Sequence, residues 1–150
     1  MNKKSLEQLK IDEGFSKKVY FCTANHHTIG YGYNLDANPL NLSSAEITFI
    51  FREGMSTLSA ERLLLAMVAV CEKELATKYS WFAGLDDARH GAITNMVYNL
   101  GINRFAGFKK FIAAMSKGDY KKAAAEGLDS LWADQVGDRA NRLMAQIADN

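Results

Sequence analysis

The sequence predicts a predominantly helical α+β fold in two lobes. A small N-terminal lobe is built on a β-hairpin, a long helix connects it onward, and the C-terminal lobe is helical. Three observations carry this expectation. Residues 19–33 pass from aromatic and β-branched (Val19-Tyr20-Phe21) through polar (Thr23 to His27) to an alternation of small and bulky residues (Thr28-Ile29-Gly30-Tyr31-Gly32-Tyr33), which is a hairpin signal. A helical pattern then runs unbroken from about Ala60 to Lys78, and after Gly84 the periodicity is helical throughout.

Taken in order, Ser5-Leu6-Glu7-Gln8 has the form of a capping box, and Gly14 is placed to close the helix it opens. That gives a first helix of about two turns. The hairpin follows, with a loop of about five residues. Ser43-Ser44-Ala45-Glu46 is a second capping box for a short helix that Gly54 interrupts. Ser59 caps the long helix, whose apolar face is Leu63, Leu64, Met67, Val70, Cys71 and Leu75. Asp86 or Asp87 caps a helix ending near Gly101, and helices over Phe105–Met115, Tyr120–Leu128 and Asp138–Ala148 complete the chain. No Pro/Ser/Gly linker, low-complexity tract or repeat interrupts it. The reading is one domain over 1–150: a mixed lobe at about 14–58, a connecting helix at about 60–78, and a helical lobe at about 85–148 that includes the first helix. A cleft between two such lobes is where a ligand is expected.

Bulk properties exclude several classes. Hydrophobic residues at 48% and charged residues at 23% are globular values, so disorder is not expected. A net charge of +1 supplies no global field for nucleic acid or an anionic membrane. Charge is nevertheless uneven: Arg104, Lys109, Lys110, Lys117, Lys121 and Lys122 stand against Asp119 alone. A solvated helix face is the plainer reading of that run, and attraction for an anionic polymer such as cell wall is the other. Cys22 and Cys71 are the only cysteines, too few for a disulfide framework, and two free thiols are expected. MNKKSLEQLK lacks the apolar core of a signal peptide, and the longest apolar run, Leu63 to Cys71, is too short to span a membrane. The protein is therefore expected to stay where it is made.

Glu13 is the leading candidate for chemistry. It shares a helix face with Leu6 and Leu9 and sits in the last turn, where the helix dipole opposes negative charge. Both effects raise a carboxylate pKa, which suits a general acid; an ordinary surface glutamate is the alternative. Flanking a five-residue loop, Cys22 and Thr28 are expected to lie nearly opposite each other across the hairpin. Glycosidases usually place a second carboxylate near the acid, and here a thiol takes that place. His26 and His27 point in different directions and have no third ligand nearby, so no metal site is expected. Cys71 and the scattered methionines read as packing.

The run Ile11-Asp12-Glu13-Gly14, then Tyr20, then Thr28-Ile29-Gly30-Tyr31-Gly32, resembles the signature of the phage lysozymes of glycoside hydrolase family 24. That family spaces a Glu, eight residues, an Asp, five residues and a Thr. Here the spacing is Glu13, eight residues, Cys22, five residues, Thr28, so Cys22 stands at the usual Asp position. Asn95-Met96-Val97-Tyr98-Asn99-Leu100-Gly101 resembles the family's cleft-lining helix end, and Trp132, Gln135, Arg139 and Arg142 resemble its closing pattern; the likeness spans about residues 6 to 143. The resemblance implies a lysozyme-like fold and hydrolysis of the β-1,4 bond between N-acetylmuramic acid and N-acetylglucosamine. It implies Glu13 as acid, Thr28 as holder of the hydrolytic water, Tyr98 and Asn99 as glycan contacts, and Arg139 as the partner of the catalytic Glu. Core packing is the alternative for Tyr98, and a solvated face the alternative for Arg139 and Arg142.

Cys22 leaves three readings open. It acts as a thiolate that stabilises positive charge or attacks the anomeric carbon; it is a tolerated neutral substitute; or it is an engineered replacement or the mark of a relative that binds glycan without cutting. An active enzyme is favoured, because Glu13, Thr28 and both glycines keep their spacing. A lytic transglycosylase and a non-catalytic wall-binding module are the rival functions. The expected partner is the peptidoglycan strand, with no cofactor, metal, nucleic acid or stable membrane insertion, and a monomeric state. By likeness to phage endolysins, the protein would accumulate in the host cytoplasm and act on the wall after release.

Overall fold

The computed structural model describes residues 1–149, and they form nine α-helices, one three-stranded antiparallel sheet and a 3-10 turn at Phe82–Gly84. The fold is predominantly helical α+β, as expected. The chain divides into two compact units. One is Glu7–Met67, and the other is Met1–Leu6 together with the chain from Val68 onward. The divisions fall inside helix α1 (Lys3–Glu13) and helix α3 (Thr57–Lys78).

In the Glu7–Met67 unit, strands β1 (Ser16–Phe21), β2 (His27–Gly30) and β3 (Tyr33–Asn34) lie in that order. Helix α2 (Ser44–Glu53) is opened by the anticipated capping box: Ser43 Oγ accepts from the Glu46 N–H, and the Glu46 carboxylate accepts from the Ser43 N–H at 2.9 Å. Gly54 closes it. The Met55 N–H then donates to the Lys17 carbonyl at 2.8 Å, which ties the exit of α2 to β1. Ile29, Tyr33, Met55 and Ala60 form the buried centre, covered by Val19, Leu35, Leu40, Ile50 and Leu63. Lys10 Nζ of α1 donates to Glu61 Oε1 of α3 at 2.5 Å.

Helix starts differ from the sequence expectation in two places, for the same reason. Asn2, not Ser5, caps α1: its Oδ1 accepts from the Ser5 N–H at 2.9 Å. Ser56, not Ser59, caps α3, accepting from the Ser59 N–H at 3.1 Å. In each case a capable residue stood three positions upstream of the expected one, and the extra turn of helix satisfies more backbone. The buried stripe of α3 is Ala60, Leu64, Val68, Cys71 and Leu75, at spacings of four, four, three and four; Val70, placed on that face from the sequence, is 47% exposed.

The other unit is organised around α4 (Asp87–Leu100), in which every residue from Gly91 to Val97 is buried. A helix sealed on all sides is a core helix. Around it pack α5 (Ile102–Phe105), α6 (Lys109–Ser116), α7 (Tyr120–Leu128), α8 (Leu131–Val136) and α9 (Asp138–Ala148). Helices α7 and α9 have the expected bounds. The single helix expected over Phe105–Met115 is broken at 106–108, where Gly107 sits in the turn. Helix α8, which the sequence reading lacked, is one and a half turns capped by Ser130 Oγ on the Ala133 N–H. Cys71 is buried as expected, and burial pushes its thiol up to about 12. Among the described residues no single helix is long and apolar enough to cross a membrane.

Arg89 latches the end of α9 to α4. Its Nε donates to the Ile147 carbonyl at 2.9 Å, its Nη groups reach Asp86 and the Asp149 carbonyl, and its guanidinium carbon lies 3.9 Å from the centre of the Tyr120 ring. Burial alone would raise the Asp86 carboxyl, but hydrogen bonds from the Arg89 backbone and side chain outweigh it and hold it below the usual range. Arg89→Met keeps the apolar stem and leaves the Ile147 carbonyl unpaired. It is expected to cost about 2 kcal/mol in urea denaturation at pH 7. A depressed carboxylate contributes stability above its unfolded pKa and loses it as pH falls through the folded one, so the variant should also lose less on acidification than the unmodified protein.

Candidate active site

Glu13 is the last residue of α1, half-buried, four residues beyond the fully buried Leu9. Gly14 ends the helix in the left-handed region, at φ 67°, with its N–H on the Lys10 carbonyl at 3.0 Å. The chain turns directly into β1, so the carboxylate stands at the junction of helix and sheet. On its far side lies Gly32, at φ 68° in the connection between β2 and β3. A Cβ built on Gly32 would stand 2.5 Å from Glu13 Oε2. A side chain at position 32 would be strained by that positive φ and would have to displace the Glu13 carboxylate from this seat.

The hairpin is shorter in its loop than the sequence suggested. Tyr20 pairs with Thr28 and Phe21 with His27, and the Cys22 N–H donates to the His26 carbonyl at 3.0 Å. Cys22 is therefore opposite His26, and the expected near-opposition of Cys22 and Thr28 is a diagonal one along the ladder. Only residues 23–25 form the loop. The Asn25 N–H closes on the Cys22 carbonyl at 2.8 Å, and Asn25 takes φ 60°, a left-handed conformation that asparagine tolerates better than most residues. Side chains alternate along a strand, so Tyr20, Cys22 and Thr28 share a face and Cys22 meets Thr28 on the diagonal. A shift of register between Ser16 and Tyr20 bends β1 just before this face.

These contacts set the acidity of Cys22. The His26 backbone N–H and then the Thr28 hydroxyl hydrogen-bond the sulfur and lower its pKa below the ordinary thiol value. Thr28 is 3% exposed, and its hydroxyl also lies 3.0 Å from the His26 carbonyl. One hydroxyl has one proton to give. The His26 carbonyl and the Cys22 sulfur both lie within its reach. Tyr20 links both ends of the constellation: burial and then the negative charges of Cys22 and Glu13 raise its phenol. Glu13, Cys22 and Thr28 are thus brought to one neighbourhood around Tyr20 and Gly32.

Asp36 is a residue that sequence reasoning missed. Its carboxylate accepts from the His27 N–H at 2.8 Å and meets His27 Nδ1 at 2.9 Å, with His26 Nδ1 at 3.8 Å. The His27 backbone and ring hold Asp36 below the usual carboxylate range. This clamp fixes the open end of β2. Among the described residues no group of three His, Cys, Asp or Glu side chains is arranged to hold a metal ion.

The remaining sequence candidates belong to the other unit. Tyr98 is half-buried and packs against the helical core, whereas Asn99 is exposed. The Asn99 carboxamide oxygen accepts from Trp132 Nε1 at 2.9 Å. Arg139 donates from Nε to Asn95 Oδ1 at 2.9 Å and from Nη2 to the Asn95 carbonyl at 3.4 Å. Asn95, included in the sequence reading only as the start of the cleft-lining stretch, is 2% exposed in the middle of α4 and is the acceptor for Arg139.

A carboxylate closing the first helix, a hairpin presenting a thiol and a hydroxyl beside it, and a helical bundle after a long helix define a lysozyme-type architecture. The match to known sequences agrees. The chain belongs to the phage lysozyme family, which it matches over residues 10–146. It is 29% identical over 157 aligned residues to the pre-baseplate central spike protein Gp5 of Enterobacteria phage T4, covering 95% of this chain but only 27% of the spike protein. It is 27% identical to the probable T4-type lysozyme 1 of Dictyostelium discoideum over 94% of this chain and 91% of that protein. An endolysin of Acyrthosiphon pisum secondary endosymbiont phage 1 is 28% identical over 84% of this chain and 76% of its own length.

The two cysteines should separate cleanly in chemistry. Iodoacetamide is expected to modify Cys22 and spare Cys71, with a reaction midpoint below that of a free cysteine. Thr28→Val removes one thiolate donor and should move that midpoint upward, as read by mass spectrometry of rate against pH.

Proposed function

We propose that this protein is a muramidase that hydrolyses the β-1,4 bond between N-acetylmuramic acid and N-acetylglucosamine in peptidoglycan. The observation that carries the reading is the close seating of Glu13 against the Gly32 backbone, with Cys22 and Thr28 on the adjacent hairpin face. Membership of the phage lysozyme family, and the lysozyme and endolysin names of its relatives, point the same way.

In this mechanism Glu13 gives its proton to the leaving glycosidic oxygen as the bond to the anomeric carbon breaks. The buried Thr28 hydroxyl orients a water for attack on that carbon, and an anionic Cys22 stabilises the oxocarbenium-like transition state where the family's pattern has a carboxylate. Direct attack by water, which passes its proton to the Cys22 thiolate, inverts the anomeric centre. A covalent bond from Cys22 sulfur to that carbon, later cleaved by a water that gives its proton to the Glu13 carboxylate as the thiolate leaves, retains it. On the family likeness, Tyr98 and Asn99 are assigned to glycan contact and Arg139 to support of the acid. The enzyme is proposed to act as a monomer without cofactor, on the wall of its host, after release from the compartment where it is made.

The second reading, a lytic transglycosylase, draws on the missing second carboxylate. End-group analysis of the digest separates the two: hydrolysis gives reducing ends, and transglycosylation gives anhydro-muramic ends. Glu13→Gln is expected to lower turnover on purified peptidoglycan by at least about a hundredfold. Full activity in that variant, with its fold intact by circular dichroism, would refute the proposed acid. No release of glycan fragments by the unmodified protein would leave wall binding as the function.

A further inference from the structure

Helices α5, α6 and α7, with the turn between the last two, carry six cations, Arg104, Lys109, Lys110, Lys117, Lys121 and Lys122, and all six are exposed. Among the described residues no ion pair engages any of them. Asp119, the one acid in that run, turns its carboxylate to the Lys122 N–H to cap α7. The placement works against the helices themselves. Neither α6 nor α7 has an acidic residue in its first turn, and Lys109, Lys110, Lys121 and Lys122 stand there instead, where the helix dipole opposes positive charge. Stability alone does not account for four lysines at those positions.

We propose that the exposed face of α5, α6 and α7 is a docking surface for the carboxylates of the peptidoglycan strand, outside the residues assigned above to bond cleavage. The inference rests on the proposed function for its choice of polymer. Three features fit that partner. The charge is spread: Lys109 and Lys110 begin α6, while Lys117, Lys121 and Lys122 gather at the turn into α7, about 12 Å further along. A line of charge suits an extended polyanion better than a small anion. Five of the six cations are lysines, point charges without the planar fork that clamps a phosphate in two places. The aromatic residues interleaved with them face inward: Phe105 and Phe111 are buried and Phe108 and Tyr120 pack on the core, so no stacking platform for nucleic-acid bases is offered.

The test is co-sedimentation of the whole protein with purified insoluble peptidoglycan across a salt series, which needs no turnover. The variant K109Q/K110Q/K117Q/K121Q/K122Q keeps helix-forming side chains and removes five charges. At low salt its apparent Kd is expected to rise about tenfold over the unmodified protein, and the dependence on salt to flatten. Its thermal midpoint should not fall, since the removed charges opposed two helix dipoles. Peptidoglycan whose carboxylates have been converted to neutral amides should bind the unmodified protein as weakly as intact wall binds the variant. Equal sedimentation of both proteins on intact wall, or a salt dependence that survives in the variant, overturns the proposal. So does a deficit of the variant that persists undiminished on amidated wall. If the variant does not fold, the salt series and the amidated wall with the unmodified protein decide alone: binding indifferent to both overturns the proposal, and binding weakened by both supports it. Failure of the muramidase reading would appear separately, as no new reducing ends from either protein, and would leave the sedimentation result standing.

Discussion

The closeness of the Gly32 backbone to the Glu13 carboxylate is the constraint on which the rest of the site depends. A helix that ends on an acid, turned by Gly14 straight into a strand, delivers a carboxylate to the junction of helix and sheet. The β2–β3 connection then brings the Gly32 backbone close against it, at a positive φ that a side chain would strain. Along the adjoining hairpin Thr28 stands beside Tyr20, and Cys22 falls two residues beyond Tyr20, on the same face. The groups proposed for chemistry come from three elements, yet their separations are set by backbone hydrogen bonds and one close approach rather than by long side chains.

Much of this was legible in the amino-acid order because it is local. The Ser43–Glu46 capping box, the left-handed Gly14 and the apolar rhythm of α3 are decided by neighbours within one turn of chain, and periodicity reports them directly. The spacing of Glu13, Cys22 and Thr28 signalled one neighbourhood, and Tyr20 lies within electrostatic reach of both Glu13 and Cys22. The register of the hairpin was not legible. It depends on Asn25 adopting a left-handed conformation usually taken by glycine, which shortens the loop to residues 23–25, so that Cys22 pairs with His26 and meets Thr28 on the diagonal. Asp36 was not legible either. Its partners are nine and ten residues away, and a carboxylate in a polar loop carries no periodic mark.

The helical unit follows a different rule, because its polar groups are inside. Asn95 lies in a run of buried residues and reads in sequence as an interruption of the core, yet it accepts two hydrogen bonds from Arg139. Trp132 likewise finds an acceptor in Asn99 for its indole N–H. Both pairs join α4 to residues more than thirty positions later, so composition alone has no means of matching donor to acceptor. Helix α8 escaped for a related reason: six residues are too few for periodicity, and a serine cap with a following glycine defines it.

The contrast between the two sulfurs has a practical side. One thiol is sealed in the helical core and held in its unreactive form, while the other sits half-exposed among the residues proposed for bond cleavage. A maleimide fluorophore or nitroxide would therefore settle at a single known place without any engineered cysteine. The protein supplies its own attachment point for optical or magnetic probes, and such a reporter would register events at the hairpin tip as they happen.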